Sequence, residues 1–130
     1  MGALHVVAVG RDHAALAGLA ASAGPRVMTV ALSGDGEQDM PALVETAGGR
    51  TDLALDIVGR ADSAAATAAC LYALRRGGRL VMMGSTSALL KLGVYDALAN
   101  DWHMDRLEEA LDAVAHMSGL GLTALTMHRR

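Results

Sequence analysis

Phenylalanine is absent from this 130-residue chain, and only one tryptophan and two tyrosines stand in its place. The core must therefore be built from Val, Leu, Ala and Met, which is apolar but offers few rigid aromatic anchors. Cysteine occurs once, at Cys70, and that excludes an internal disulfide framework and a multi-cysteine zinc site. A lone cysteine in an Ala-rich helical stretch reads as a small core residue, and a nucleophilic role would need a partner that the sequence does not supply. Charge of one sign is not in excess: the net charge of −3 leaves no electrostatic footprint for nucleic acid or an anionic membrane surface. No apolar run approaches the ~20 residues needed to cross a bilayer. The N-terminal run is too short for a secretory signal and lacks its basic start and cleavage pattern. These absences predict a soluble, cytoplasmic chain without a nucleic-acid or membrane partner.

What is present is a 52% hydrophobic composition, enough for one domain with a real core at this length. Two hydrophobic patterns alternate along it. "LHVVAV" (4–9), "RVMTVAL" (26–32), "LALDIV" (53–58) and "RLVMM" (79–83) are short apolar runs bounded by Gly or Pro. Such runs read as strands covered on both faces, which favours a parallel sheet. Helical spacing lies between them. In 11–23, Leu16, Leu19 and Ala20 recur at i, i+3, i+4, and "AGP" (23–25) ends the pattern. Residues 38–47 place Met40, Leu43, Val44 and Ala47 on one face. Residues 62–76 form the clearest helix, with Asp62 or Ser63 to cap it, Arg75 and Arg76 to complement its dipole, and Gly77 as the stop. The order β-α-β-α-β-α-β predicts a doubly wound, mainly parallel α/β sheet with flanking helices and right-handed crossovers.

Past Gly84 the pattern weakens. Residues 85–104 are mixed, with one short helix near 94–100. "MDRLEEALDAVAHM" (104–117) has the periodicity of an amphipathic helix, with Leu107, Ala110, Leu111 and Val114 on one face. "LTALTM" (122–127) closes the chain as a strand.

An α/β sheet invites a search for a glycine-rich phosphate loop. "GLGLTA" (119–124) has the G-x-G-x-x-A form, yet it follows a helix and opens a strand, whereas the motif must follow a strand and open a helix. It reads as a helix stop and turn. "GDGEQD" (34–39) does follow a strand, but its three acidic residues would repel phosphates, so it too reads as a turn. "HVVAVGRD" (5–12) is different. In dinucleotide-binding units the second strand ends at the adenosine ribose, where an acidic residue favours NAD and a small residue with a nearby arginine accommodates the 2′-phosphate of NADP. Gly10 followed by Arg11 fits the NADP arrangement. Taken alone, the same residues read more simply as a strand-to-helix turn with a solvated arginine.

The five histidines show no metal-ligand spacing and no clustered acidic or cysteine partners, so no metal site is expected. Asp56 stands inside an apolar strand, and a buried aspartate needs partners. Either it reaches a loop N–H or that strand is less buried than its neighbours imply. No catalytic base with a supporting group is visible.

"TDLALDIVGRADSAAATAACLYALRRGGRLVMMGS" (51–85) resembles the medium-chain dehydrogenase/reductase superfamily, that is, the zinc-type alcohol dehydrogenases and quinone reductases. The features that carry the resemblance are a fourth strand ending in Val58–Gly59, a helix, and "RRGGRLVMMGS" as helix end, turn and fifth strand. "HVVAVGRDHAALAGLAASAG" (5–24) is similar to the second strand and following helix of that family, and 104–127 to its terminal helix and strand. The departures are large: the catalytic domain, the first strand with its glycine-rich loop, and the sixth strand with its surroundings have no counterpart here.

The resemblance implies a truncated Rossmann-like fold, with residues 1–103 a partial dinucleotide-binding domain and 104–130 a C-terminal return segment. It implies an NAD(P)-binding domain of a zinc-type alcohol dehydrogenase or quinone reductase-like oxidoreductase, NADP preferred to NAD, without the apparatus to transfer hydride alone and without a metal in this chain. Gly10 and Arg11 would meet the adenosine end of the cofactor, Gly59 its middle, and Gly84 with Ser85 the nicotinamide. Glycines such as Gly59 and Gly84 are also common wherever a strand turns into a loop. In the family's sheet the first strand lies between the second and the fourth, so its loss would leave a central gap. That gap would close by pairing 5–9 with 53–58, or be filled by a partner chain's strand in a homo-oligomer. The alternatives to cofactor binding are thus a non-catalytic, self-associating α/β module and a poorly folded gene fragment.

Overall fold

The computed structural model describes residues 3–58, 62–83, 88–106 and 122–126. Along the chain run β1 (His5–Gly10), α1 (His13–Ala23), β2 (Val27–Ala31), α2 (Gly36–Ala47), β3 (Thr51–Asp56) and α3 (Ala65–Ala73). They are followed by β4 (Leu74–Met82), α4 (Val94–Asn100), β5 (His103–Arg106) and β6 (Leu122–Thr126). The strands form one six-stranded sheet in the order β2-β1-β6-β3-β4-β5. Every pairing in it is parallel.

The fold is thus the α/β, doubly wound, Rossmann-like arrangement that the alternating pattern predicts. Period-two alternation sends Val7, Val9, Ala54 and Leu80 to one face, where they form the main core with Leu43 of α2 and Cys70 and Leu71 of α3. Leu53, Leu55 and Val81 pack together on the other face. Helix α1 lies over β1 and β2. Its start is set by Asp12, whose side chain accepts the Ala15 N–H at 2.9 Å. Asp35 caps α2 in the same way through the Glu37 N–H, also at 2.9 Å. Gly48 ends α2 in the left-handed region at φ 72°, with Gly48 and Gly49 returning their N–H groups to Glu45 and Val44.

The centre of the sheet departs from expectation. The gap foreseen between 5–9 and 53–58 is closed neither by direct pairing of those strands nor by a partner's strand. The chain's own β6 fills it, with Ala124 level with Val7 on one side and Ala54 on the other. Short-range periodicity identifies a strand but carries no information on strand order. The homo-oligomer expected through an incomplete sheet therefore loses the reason given for it.

Two boundaries also move. The helix expected over 62–76 spans only Ala65–Ala73, and Leu74 is already extended at φ −68°, ψ 144°. Arg75, placed by the sequence in the last helical turn, instead pairs with Asp52 of β3. The pairing register jumps from Thr51↔Leu74 to Leu53↔Arg79, so residues 75–78 bulge from the ladder. Gly78 is required in that bulge, because a Cβ there would stand 2.8 Å from the Arg75 carbonyl oxygen. At the helix start, neither expected capping residue is the cap: Ala64 is, and the Ser63 hydroxyl accepts the Ala65 N–H from just outside.

The helix expected over 104–117 begins instead as strand, since 103–106 pair with β4 and Arg79 bonds Asp105 across the two strands. The remainder of that stretch lies outside the described residues. The short helix near 94–100 is found there as α4. It buries none of its own residues. It is tied to the body through the Tyr72 hydroxyl, which donates to Asp96 at 3.2 Å, and Tyr72 in turn meets the Trp102 ring edge-on at 5.3 Å. Among the described residues no helix is long and apolar enough to cross a membrane.

Candidate functional site

All six strands run the same way, so their C-terminal ends share one edge of the sheet, and open α/β sheets bind ligands at that edge. The register defines one row across it: Val30, Val9, Thr126, Asp56, Met82 and Arg106. The winding reverses near the middle of this row. Beyond β1 the chain passes through α1 to the edge strand β2, whereas beyond β3 it passes through α3 the opposite way to β4. The ends of β1 and β3 flank β6 and stand two strand spacings apart, or ~10 Å. A crevice at such a reversal is the usual ligand position in this architecture.

Gly10 closes β1 at the rim of that crevice. It is buried, and its carbonyl accepts the Leu32 N–H at 2.8 Å, which ties the exit of β2 to the exit of β1. Arg11 follows, exposed, and Asp12 begins the cap of α1. The turn reading of Gly10–Arg11–Asp12 and the phosphate reading are thereby compatible: the turn is what holds the arginine at the strand end. Gly59, Gly84 and Ser85, the other residues assigned to a cofactor by resemblance, lie outside the described residues. Their neighbours Val58 and Met83 are described, the first buried and the second partly exposed.

The "GDGEQD" stretch serves as a loop and helix start. Asp39, only 4% exposed, accepts from the Ser33 N–H and hydroxyl at 2.8 Å each and from the Gly34 N–H at 3.2 Å. Its charge is committed to the loop backbone. The sequence marks Asp39 as an obstacle to phosphate but gives no sign of this inward use.

Asp56 takes the first of the two courses open to it. Its side chain is 1% exposed, with Oδ1 accepting the Val58 N–H at 2.9 Å and Oδ2 accepting the Thr67 hydroxyl at 2.5 Å. Thr67 was not singled out by sequence, since a threonine in the first turn of a helix has no distinguishing pattern. Cys70 lies in the core behind this pair. Burial, and then the nearby Asp56 carboxylate, push its thiol far up, so it remains protonated and a poor nucleophile. Burial, followed by the Asp96 contact, likewise pushes the Tyr72 hydroxyl up. Among the described residues no group of His, Cys, Asp and Glu could hold a metal ion.

No protein-family model matches the chain, and a search of curated proteins returns no match.

Proposed function

We propose that this chain binds a dinucleotide of the NADP type at the C-terminal edge of its sheet, as the nucleotide-binding unit of a soluble, cytoplasmic oxidoreductase of the zinc-type alcohol dehydrogenase or quinone reductase kind. One observation carries this reading. With β1 to β4 taken, as the resemblance implies, for the second to fifth strands of a dinucleotide-binding sheet, and β5 for its sixth, the spatial order β2-β1-β6-β3-β4-β5 matches the 3-2-1-4-5-6 arrangement everywhere but the centre, where β6 stands in the place of the first strand. In that arrangement the end of β1 corresponds to the adenosine ribose site, and the small residue followed by an exposed arginine is the combination that accepts a 2′-phosphate. The Asp12 side chain is engaged in capping α1, so the nearest carboxylate is drawn toward the helix and not toward a ribose diol. Hydride transfer between nicotinamide and a carbonyl, alcohol or enone is the chemistry such a unit serves. No described residue forms a catalytic acid–base pair, and the substrate-positioning groups would have to come from elsewhere.

The expected result for Arg11→Ala is a selective loss. A charge-assisted arginine–phosphate contact contributes ~1.5–3 kcal/mol, so NADPH affinity should fall roughly 10- to 100-fold while NADH affinity changes little. Titration of nicotinamide fluorescence with each nucleotide measures both. Equal affinities for the two in the unsubstituted chain would remove the NADP preference.

A second reading, self-association without catalysis, is supported by residues other than those that first suggested it. Val94, Tyr95 (82% exposed) and Leu98 present apolar side chains to the surface of α4, the helix that packs on β4. Apolar groups gathered in this way mark contact surfaces more often than isolated ones do. This reading predicts a dimer in sedimentation velocity whose dissociation is unchanged by either nucleotide, whereas a monomer across the micromolar range would dismiss it.

A further inference from the structure

We propose that Ser33 determines the preference for NADP: tied to the buried Asp39, its hydroxyl keeps the Asp35 carboxylate turned into α2 and off the place of the 2′-phosphate beside Arg11; this rests on the dinucleotide reading above. Strands β1 and β2 stay paired to their last residues, with Gly10 level with Ala31, and the Leu32 N–H still bonds the Gly10 carbonyl at 2.8 Å. Ser33 therefore leaves the sheet one strand spacing, ~4.8 Å, from the turn that carries Arg11. Ser33, Gly34 and Asp35 are all exposed there.

A single hydroxyl links the buried carboxylate to the exposed one. Ser33 Oγ donates to Asp39 Oδ1 at 2.8 Å and accepts the Asp35 N–H at 3.1 Å. Asp39 also accepts the Ser33 N–H at 2.8 Å and the Gly34 N–H at 3.2 Å, so both residues ahead of Asp35 are fixed from within. These bonds are not needed to start the helix, because Asp35 already caps α2. Its Oδ1 accepts the Glu37 N–H at 2.9 Å, and its Oδ2 accepts from the Gln38 side-chain amide at 3.0 Å. What the Asp39 bonds set is the path of the loop, and with it the direction of a carboxylate one strand away from the arginine.

The two dinucleotides respond to that carboxylate differently. An acidic side chain at this end of the site suits the free ribose diol of NADH, whereas it repels the 2′-phosphate of NADPH. The test is Ser33→Ala, which cuts the link between Asp39 and Asp35. NADPH is expected to bind about three- to tenfold more weakly to this variant, and NADH within about twofold of its affinity for the unsubstituted chain. Adding Asp35→Asn to Ser33→Ala should return NADPH to within about twofold of its original affinity, since asparagine caps a helix as well as aspartate does and carries no charge. The ratio of the two affinities is the readout, because a smaller folded fraction lowers both alike and leaves the ratio unmoved.

A Ser33→Ala chain whose NADPH-to-NADH ratio matches that of the unsubstituted chain would overturn the proposal, and so would a shifted ratio that Asp35→Asn fails to reverse. Should the unsubstituted chain bind neither nucleotide, or both equally well, the reading beneath the proposal fails and the proposal with it. That outcome is seen before any substitution is made, and so is not confused with the others.

Discussion

Ala124→Pro is expected to unfold the chain, or at the least to lower its stability by ~3 kcal/mol or more, through a lost ladder bond and the buried groups it leaves unpaired. Ala124 is the midpoint of β6, level with Val7 on one side and Ala54 on the other. Proline has no N–H to give and is excluded from central strands. The loss is amplified by topology, because among the described residues β6 alone is hydrogen-bonded to both β1 and β3. Thr29→Pro in β2 is the matched control. Bonds from Val6 N–H to Arg26 and from Leu32 N–H to Gly10 frame the β1–β2 ladder, and its regular alternation turns the Thr29 N–H away from β1. That edge proline should cost less than about 1 kcal/mol. Urea denaturation of the two variants compares them directly, and a cooperative Ala124→Pro chain melting close to the unsubstituted one would mean that 122–126 do not hold the centre of the sheet.

The second large effect belongs to Asp56→Ala. Truncation leaves the Thr67 hydroxyl and the Val58 N–H without their acceptor in a fully buried site. Losing a buried, charged acceptor of this kind costs about 3–5 kcal/mol, which for a chain of this size lowers the melting temperature by roughly 10–20 °C. Alanine at Asp52, whose Arg75 partner is half-exposed to solvent, should cost under about 1 kcal/mol. Calorimetric scans of the two alanine variants should therefore separate widely, and similar melting temperatures would show that the Asp56 hydrogen bonds contribute little to stability.

These effects arise where local pattern and long-range arrangement part company. β1, β2 and α4 were legible because apolar spacing and flanking glycine or proline are local signals. The end of α3 was misread because "RRGG" carries the basic last turn and glycine stop of a helix end, whereas tertiary pairing with β3 draws Leu74 into the sheet. β5 was missed because "HMDR" is short and polar, as suits an edge strand that must not recruit another, and its methionine and aspartate look like the opening of the helical pattern that follows. The position of Gly10 and Arg11 at the C-terminal end of a strand was legible, since an apolar run that stops at a glycine is a local signal, whereas the reversal of winding beside it depends on the strand order. Asp56 announced itself as a charge among apolar residues. Its partner Thr67, eleven residues further on, did not, because only the packing of α3 on β3 brings the two together.

The central place of β6 also has a bearing on how the molecule is made. β1 and β6 are neighbours in the sheet though more than a hundred residues separate them in the chain, and contacts of such long sequence separation slow folding. While the polypeptide is being synthesised, β1 with β2 and β3 with β4 can form early, but the facing edges of β1 and β3 stay bare until 122–126 emerge from the ribosome. Until then the nascent chain carries two open strand edges, each able to pair with another chain, and the arrival of β6 closes both at once.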